Sequence, residues 1–131
     1  MKTAILGTWH VHTEEYTRAI LANPQAEAAV IWDSDIARGK AFAEKLDVPF
    51  TDDLDGILND ASIDSVVVCS ATCDHPELLT KAANAGKNIF TEKVLTIGVE
   101  DAEKVAAAVK AAGKVFTISY PHRTFPTLRA A

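Results

Sequence analysis

The sequence predicts an α/β domain: a doubly wound parallel sheet of about six strands with helices on both faces. Three observations carry this prediction. Apolar runs of strand length alternate with helix-period segments along nearly the whole chain. The run "IDSVVVCS" (63–70) is largely apolar, as befits a strand buried on both faces. Right-handed crossovers then leave 3-2-1-4-5-6 as the leading strand order.

The elements follow in order. "KTAIL" (2–6) reads as a buried strand. Residues 11–22 read as a helix with Tyr16, Ala19 and Ile20 on one face, stopped by Asn23 and Pro24. "AAVIWD" (28–33) is the second strand. Helix 35–46 follows, with Ile36, Phe42, Ala43 and Leu46 at helical spacing. "VPFT" (48–51) reads as a short third strand and "LDGILND" as a weak helical turn. The fourth strand is 63–70. Helix 76–85 has Pro76 at its start and Gly86 past its end. "NIFTEK" (88–93) is the fifth strand. Helix 99–112 carries Ala102, Val105, Ala106, Val109 and Ala112 as its stripe and ends at Gly113. "KVFTISY" (114–120) is the sixth strand, and the proline-bearing tail 121–131 shows no periodicity.

Length and composition bound the function. The chain has 131 residues, enough for one domain with a proper core. A formal net charge of −5 gives no electrostatic reason to expect nucleic acid or an anionic membrane as partner. No apolar run approaches the ~20 residues of a membrane span, and the N-terminus lacks the pattern of a signal peptide. With only Cys69 and Cys73, a disulfide framework is excluded and the reducing cytoplasm is the expected location.

In such a sheet, ligands bind beyond the carboxyl ends of the strands, where the strand order reverses. The residues at those ends are Gly7, Thr8, Trp9, His10, Val11 and His12, then Asp33, then Ser70 through His75, then Glu92 and Lys93, and finally Tyr120 through Arg123. Gly7 stands where a phosphate loop G-x-G-x-x-G begins, but Trp9 and His12 occupy the other two glycine positions. Anion binding at a helix start rests on backbone N–H groups and the helix dipole, so Trp9 need not abolish it. Asp33 ends the second strand about 20 residues after the loop, the place of a ribose-binding acid. It also stands where a cap of the following helix would stand. Lys93 is the best catalytic candidate: a lysine at a strand's carboxyl end can hold a substrate hydroxyl or relay a proton. No metal is expected. His10 and His12 are two apart, His75 and His122 are distant, and neither cysteine has a CxxC partner. Ser70 lacks the G-x-S-x-G setting of a hydrolase nucleophile.

"AILGT", Asp33 and "VVVCSATCDHPELLTKAANAGKNIFTEKV" together resemble the N-terminal domain of the Gfo/Idh/MocA oxidoreductases. The matching residues are Ser70, His75, Glu77, Ala85, Gly86, Lys87, Glu92 and Lys93. The resemblance implies a Rossmann domain that binds NAD, in preference to NADP, and a substrate among sugars, cyclitols and related secondary alcohols. It implies a cofactor site of Gly7, Thr8, Trp9, His10, Val11, Asp33, Ser70, Ala71, Thr72, His75, Glu92 and Lys93. Lys93 would be catalytic, and Lys93, His122 and Arg123 would meet the substrate. Val94 stands where the family's EKP motif has proline. Residues 1–120 are then the dinucleotide-binding domain, and 121–131 a tail leading toward the family's second domain. On this reading the 131 residues alone bind cofactor without turning over substrate, and self-associate weakly. A non-catalytic dinucleotide-binding or regulatory module and an interaction domain that has lost nucleotide binding are the alternatives.

Overall fold

The computed structural model describes residues 1–121. Its elements are β1 (Lys2–Leu6), α1 (Thr13–Leu21), β2 (Glu27–Trp32), α2 (Ile36–Leu46), α3 (Leu54–Asn59), β3 (Ser65–Val68), a 3-10 turn (Thr72–Asp74), α4 (His75–Asn84), β4 (Asn88–Thr91), α5 (Val99–Ala112) and β5 (Phe116–Ile118). Every strand pairing is parallel, in the order β2-β1-β3-β4-β5.

The expected third strand, 48–51, is reduced to a single bridge between Phe50 and Ile31. Two hydrogen bonds tie it to β2: Ile31 N–H to the Pro49 carbonyl at 2.8 Å and Thr51 N–H to the Ile31 carbonyl at 3.0 Å. Pro49 has no N–H to donate, and Asp53 caps α3 directly afterwards, so the ladder has no room to extend. With the bridge counted as the outermost position, the order is the one expected from the sequence.

The two sheet faces bury different side chains, as the two-residue period of a strand requires. Ala4, Leu6, Val66, Val68 and Ile89 pack with Leu79 and Ala82 of α4 and Val105 of α5. Ile5, Ala28 and Ile31 pack on the opposite side with Ala43 and Leu46 of α2. The helical stripes are narrower than their spacing suggests. In α1 the buried residues are Thr13 and Thr17, Tyr16 is half-buried and Ala19 is exposed. Only Val105 of α5 is fully buried, and Ile36 of α2 is exposed.

Gly39 seats α2 against the sheet. A Cβ there would collide with the Phe50 ring and lie 2.7 Å from the Asp33 Cβ. Gly39→Ala is therefore expected to lower stability by about 1–3 kcal/mol from overpacking, partly offset by alanine's ~1 kcal/mol better helix propensity. Urea denaturation reads the result, and a stabilised variant would show that α2 is not held this close.

Candidate functional site

Because β1 lies between β2 and β3, the segments leaving these strands emerge side by side at the sheet's carboxyl edge. Gly7 N–H donates to the Trp32 carbonyl at 2.7 Å, Cys69 N–H to Leu6 at 2.8 Å and Glu92 N–H to Val68 at 3.1 Å. Gly7 has φ +86°, and a Cβ on it would stand 2.6 Å from the backbone N and Cα of Ser70. Only glycine meets both conditions. His10 N–H, donating to the Cys69 carbonyl at 3.0 Å, closes the same junction.

The two substituted glycine positions behave differently. Trp9 is 56% exposed, so its ring lies aside in solvent. His12 turns inward, its Nδ1 3.1 Å from Glu92 Oε1. Of the loop's N–H groups, that of Thr8 donates to Asp33, that of His10 to Cys69 and that of His12 to the His10 ring. Among the described residues, those of Trp9 and Val11 have no hydrogen-bond partner. They lie just before α1, where the helix dipole adds a positive field. A close-approach glycine, free N–H donors and a helix start fit a dinucleotide diphosphate.

Asp33 is 1% exposed and serves as a hub. Its Oδ2 accepts from Thr8 N at 2.7 Å, Thr8 Oγ1 at 2.5 Å and Arg38 Nε at 3.1 Å. Its Oδ1 accepts from Asp35 N at 2.8 Å and Arg38 Nη2 at 2.5 Å. Burial pushes the Asp33 carboxyl upward, but the bonds from Arg38 and Thr8 outweigh it and hold it below its ordinary value. The helix cap is Asp35, whose carboxylate accepts from Arg38 N, so the capping alternative for Asp33 does not hold.

Glu92, also 1% exposed, is a second hub. Tyr16 Oη donates to its Oε1, His12 Nδ1 bonds the same oxygen, and Lys93 N–H donates to Oε2 at 2.9 Å. Tyr16 Oη lies 2.9 Å from Ser119 Oγ as well. Burial raises the Glu92 carboxyl and the bonds from Tyr16 and His12 more than reverse it, leaving it below its ordinary value. Burial and the Glu92 bond push the Tyr16 hydroxyl up to about 12. Burial also lowers the His10 imidazole, against the pull of Glu92, so His10 is biased toward its neutral form.

Lys93 itself is exposed, and the Lys93–Val94 peptide is cis. His75 is buried; its Nδ1–H donates to the carbonyls of Val94 (3.0 Å) and Leu95 (3.2 Å), which fixes the turn following Lys93. Ser70 is buried, while Ala71 and Thr72 are partly exposed beside the Gly7 junction. Lys87, by contrast, is structural: buried, with Nζ donating to the carbonyls of Asp60 (2.6 Å) and Ile63 (2.8 Å). His122 and Arg123 lie outside the described residues. Reasoning from sequence missed Tyr16 and Ser119 as site neighbours, whereas Arg38, weighed from its spacing as an arginine near the Asp33 end, does reach that carboxylate. Tyr16 had a signal, since it follows His12 by one helical turn, and the two rings meet edge to face at 6.0 Å.

The family model for the oxidoreductase family with an NAD-binding Rossmann fold matches residues 1–120. The chain belongs to the Gfo/Idh/MocA oxidoreductase family. Among Gfo/Idh/MocA relatives, scyllo-inositol 2-dehydrogenase (NAD(+)) of Bacillus subtilis is 27% identical over 127 residues, covering 96% of this chain and 37% of that protein. Inositol 2-dehydrogenase of Paracoccus denitrificans is 33% identical over 118 residues, covering 87% of this chain and 34% of the relative. The chain thus spans little more than a third of the length of each of these two relatives. The solved structure of myo-inositol 2-dehydrogenase from Lactobacillus plantarum superposes with a TM-score of 0.86 at 21% identity, over 99% of this chain and 39% of that one. At that identity the likeness speaks for the fold. The AGK and EK segments of the Gfo/Idh/MocA resemblance thus divide in function: Lys87 ties loops together, while Glu92 and Lys93 edge the site. Among the described residues, no helix is long and apolar enough to cross a membrane.

Proposed function

We propose that residues 1–120 are the NAD-binding part of an oxidoreductase that transfers hydride from a polyol, cyclitol or sugar-type secondary alcohol. The observation that carries this reading is the junction of Gly7 with the Ser70 backbone, flanked by Asp33 on one side and Lys93 on the other. The Trp9 and Val11 N–H groups, with Thr8 and His10 beside them, would hold the diphosphate. Asp33 would accept from the ribose hydroxyls, which requires Arg38 to share that carboxylate. Ser70, Ala71 and Thr72, with His75 and Glu92 behind them, would line the nicotinamide end. The bound nicotinamide supplies the hydride acceptor. The Lys93 amine would hold the substrate hydroxyl and relay its proton, with His122 and Arg123 as further substrate contacts. The inositol dehydrogenases among the relatives support the polyol class.

NADH titration with fluorescence detection tests the reading. In a Trp32→Phe background, the remaining emission comes from Trp9. Saturable quenching with sensitised nicotinamide emission is expected, and it should vanish in Trp9→Phe. Quenching that survives Trp9→Phe in the native background would place the cofactor elsewhere. Separately, Lys93→Ala is expected to lower kcat by about 10²–10⁴-fold in the full-length protein while leaving NADH affinity within about twofold. A kcat unchanged by Lys93→Ala removes Lys93 from the chemistry.

A further inference from the structure

The loop after β1 and the end of β4 bring two imidazoles and a buried carboxylate together, a convergence of side-chain donors that nucleotide binding does not itself require. His12 and Glu92, 80 residues apart in the chain, bond at 3.1 Å. His10 Nδ1 lies 3.8 Å from the same Glu92 oxygen. One ligand atom from each of the three residues falls within a 4.8 Å cluster. We propose that His10, His12 and Glu92 form a binding site for a divalent first-row transition ion of the Zn²⁺ kind.

Four observations support the assignment. The first is geometric. Ligand atoms about 2.0–2.2 Å from a tetrahedral ion stand roughly 3.3–3.5 Å apart. The two separations from Glu92, 3.1 and 3.8 Å, bracket that value. The second concerns charge. Glu92 is a buried carboxylate, and among the described residues its ion-pair partners are the two histidines, with no lysine or arginine side chain. Buried charges are ordinarily paired or coordinate a metal. The third is protonation. His10 Nδ1 accepts a 3.3 Å bond from His12 N–H and is therefore the unprotonated ring nitrogen, whose lone pair an ion would take in place of that bond, while His12 Nδ1 holds the proton that an ion would displace. The long contact to His10 is the bond given up on coordination. The fourth is the surrounding shell: Tyr16 Oη and Lys93 N–H fix the two Glu92 oxygens, as outer-shell donors orient ligating carboxylates.

The donor set is two imidazoles and one carboxylate, which suits zinc, iron(II) or manganese better than magnesium or calcium. Three protein ligands leave at least one coordination position for water or a substrate oxygen, the arrangement of an open site. The proposal goes beyond the nucleotide reading and stands without it.

The experiment is a titration of the full chain with Co²⁺ in the absence of nucleotide. Visible d–d absorption is followed, together with Trp9 emission in the Trp32→Phe background, since the Trp9 and His10 rings lie 6.4 Å apart. We expect saturation at one ion per chain, Trp9 quenching over the same range, and displacement by Zn²⁺. His10→Ala and His12→Ala should each weaken binding at least about tenfold, roughly 1.4 kcal/mol. Cys73→Ser, which removes the exposed thiol beside Asp74, should leave it unchanged. Glu92→Gln should also weaken binding. Should that variant fail to fold by circular dichroism, the two histidine variants still decide the matter. Absence of saturable absorption in the wild type overturns the site. So does an affinity unchanged within twofold in both histidine variants.

Discussion

Gly7→Ala should both destabilise the domain and abolish NADH binding. The backbone at residue 7 lies at positive φ, which disfavours an alanine by ~1–2 kcal/mol. The new methyl would also sit 2.6 Å from Ser70 backbone atoms, which cannot rotate away as a side chain does. Forcing β1 and β3 apart at that point adds about 1–3 kcal/mol of overpacking. Gly113 is the internal control. It also has positive φ, at +62°, but a Cβ there meets nothing within 4 Å. Gly113→Ala should therefore show only the backbone penalty and keep full NADH affinity. Equal unfolding midpoints for the two variants would show that the Gly7–Ser70 contact carries no energy.

Asp33→Ala is expected to have the second-largest effect, on two readouts. It strands the N–H groups of Thr8 and Asp35 and leaves Arg38 without its bidentate partner. Breaking a buried pair this way costs about 3–5 kcal/mol. Partial exposure of the guanidinium reduces the expected loss to about 2–4 kcal/mol. The pH dependence has a definite sign. The folded-state pKa is held below the ordinary value of 3.8 by Arg38 and Thr8, so the stabilisation is present above that value and is lost as pH falls through the lower folded one. The gap between wild type and Asp33→Ala should close over that acid window. On the cofactor side, the Asp33 charge should favour NAD over NADP by about 1–3 kcal/mol. Its removal frees Arg38 to receive a 2′-phosphate. Asp33→Asn separates the two effects, since it loses the charge while retaining an acceptor. Equal NAD and NADP affinities in the wild type, unchanged in Asp33→Ala, would refute the role.

Much of this was legible in the sequence, for identifiable physical reasons. Strands such as 65–68 announce themselves because burial on both faces demands an unbroken apolar run. Gly7 and Asp33 were legible because each ends a strand at the edge where ligands bind. Other features depend on meetings that linear spacing does not encode. Arg38 stands about one helical turn beyond Ser34, and spacing alone does not fix its reach; the first turn of α2 brings it onto Asp33. His10 and His12 fail every spacing rule for a metal because their third companion, Glu92, arrives from β4. The helical period alone places Tyr16 on a core face, but its hydroxyl bonds the buried Glu92 carboxylate.

The central place of β1 also bears on how the chain assembles during synthesis. β1 is an inner strand made well before one of its partners: Thr3 to Leu6 pair with Ser65 to Val68, and the Lys2 N–H meets the Asp64 carboxylate 62 residues away. Until Val68 has left the ribosome, β1 and β2 are a two-stranded parallel ribbon with an open edge, too small to be stable. The loop closure that covers this edge must precede the contacts that reward it. Nascent chains arrested before β3 should therefore be sensitive to protease and prone to edge-to-edge association, and protection should rise once β3 inserts.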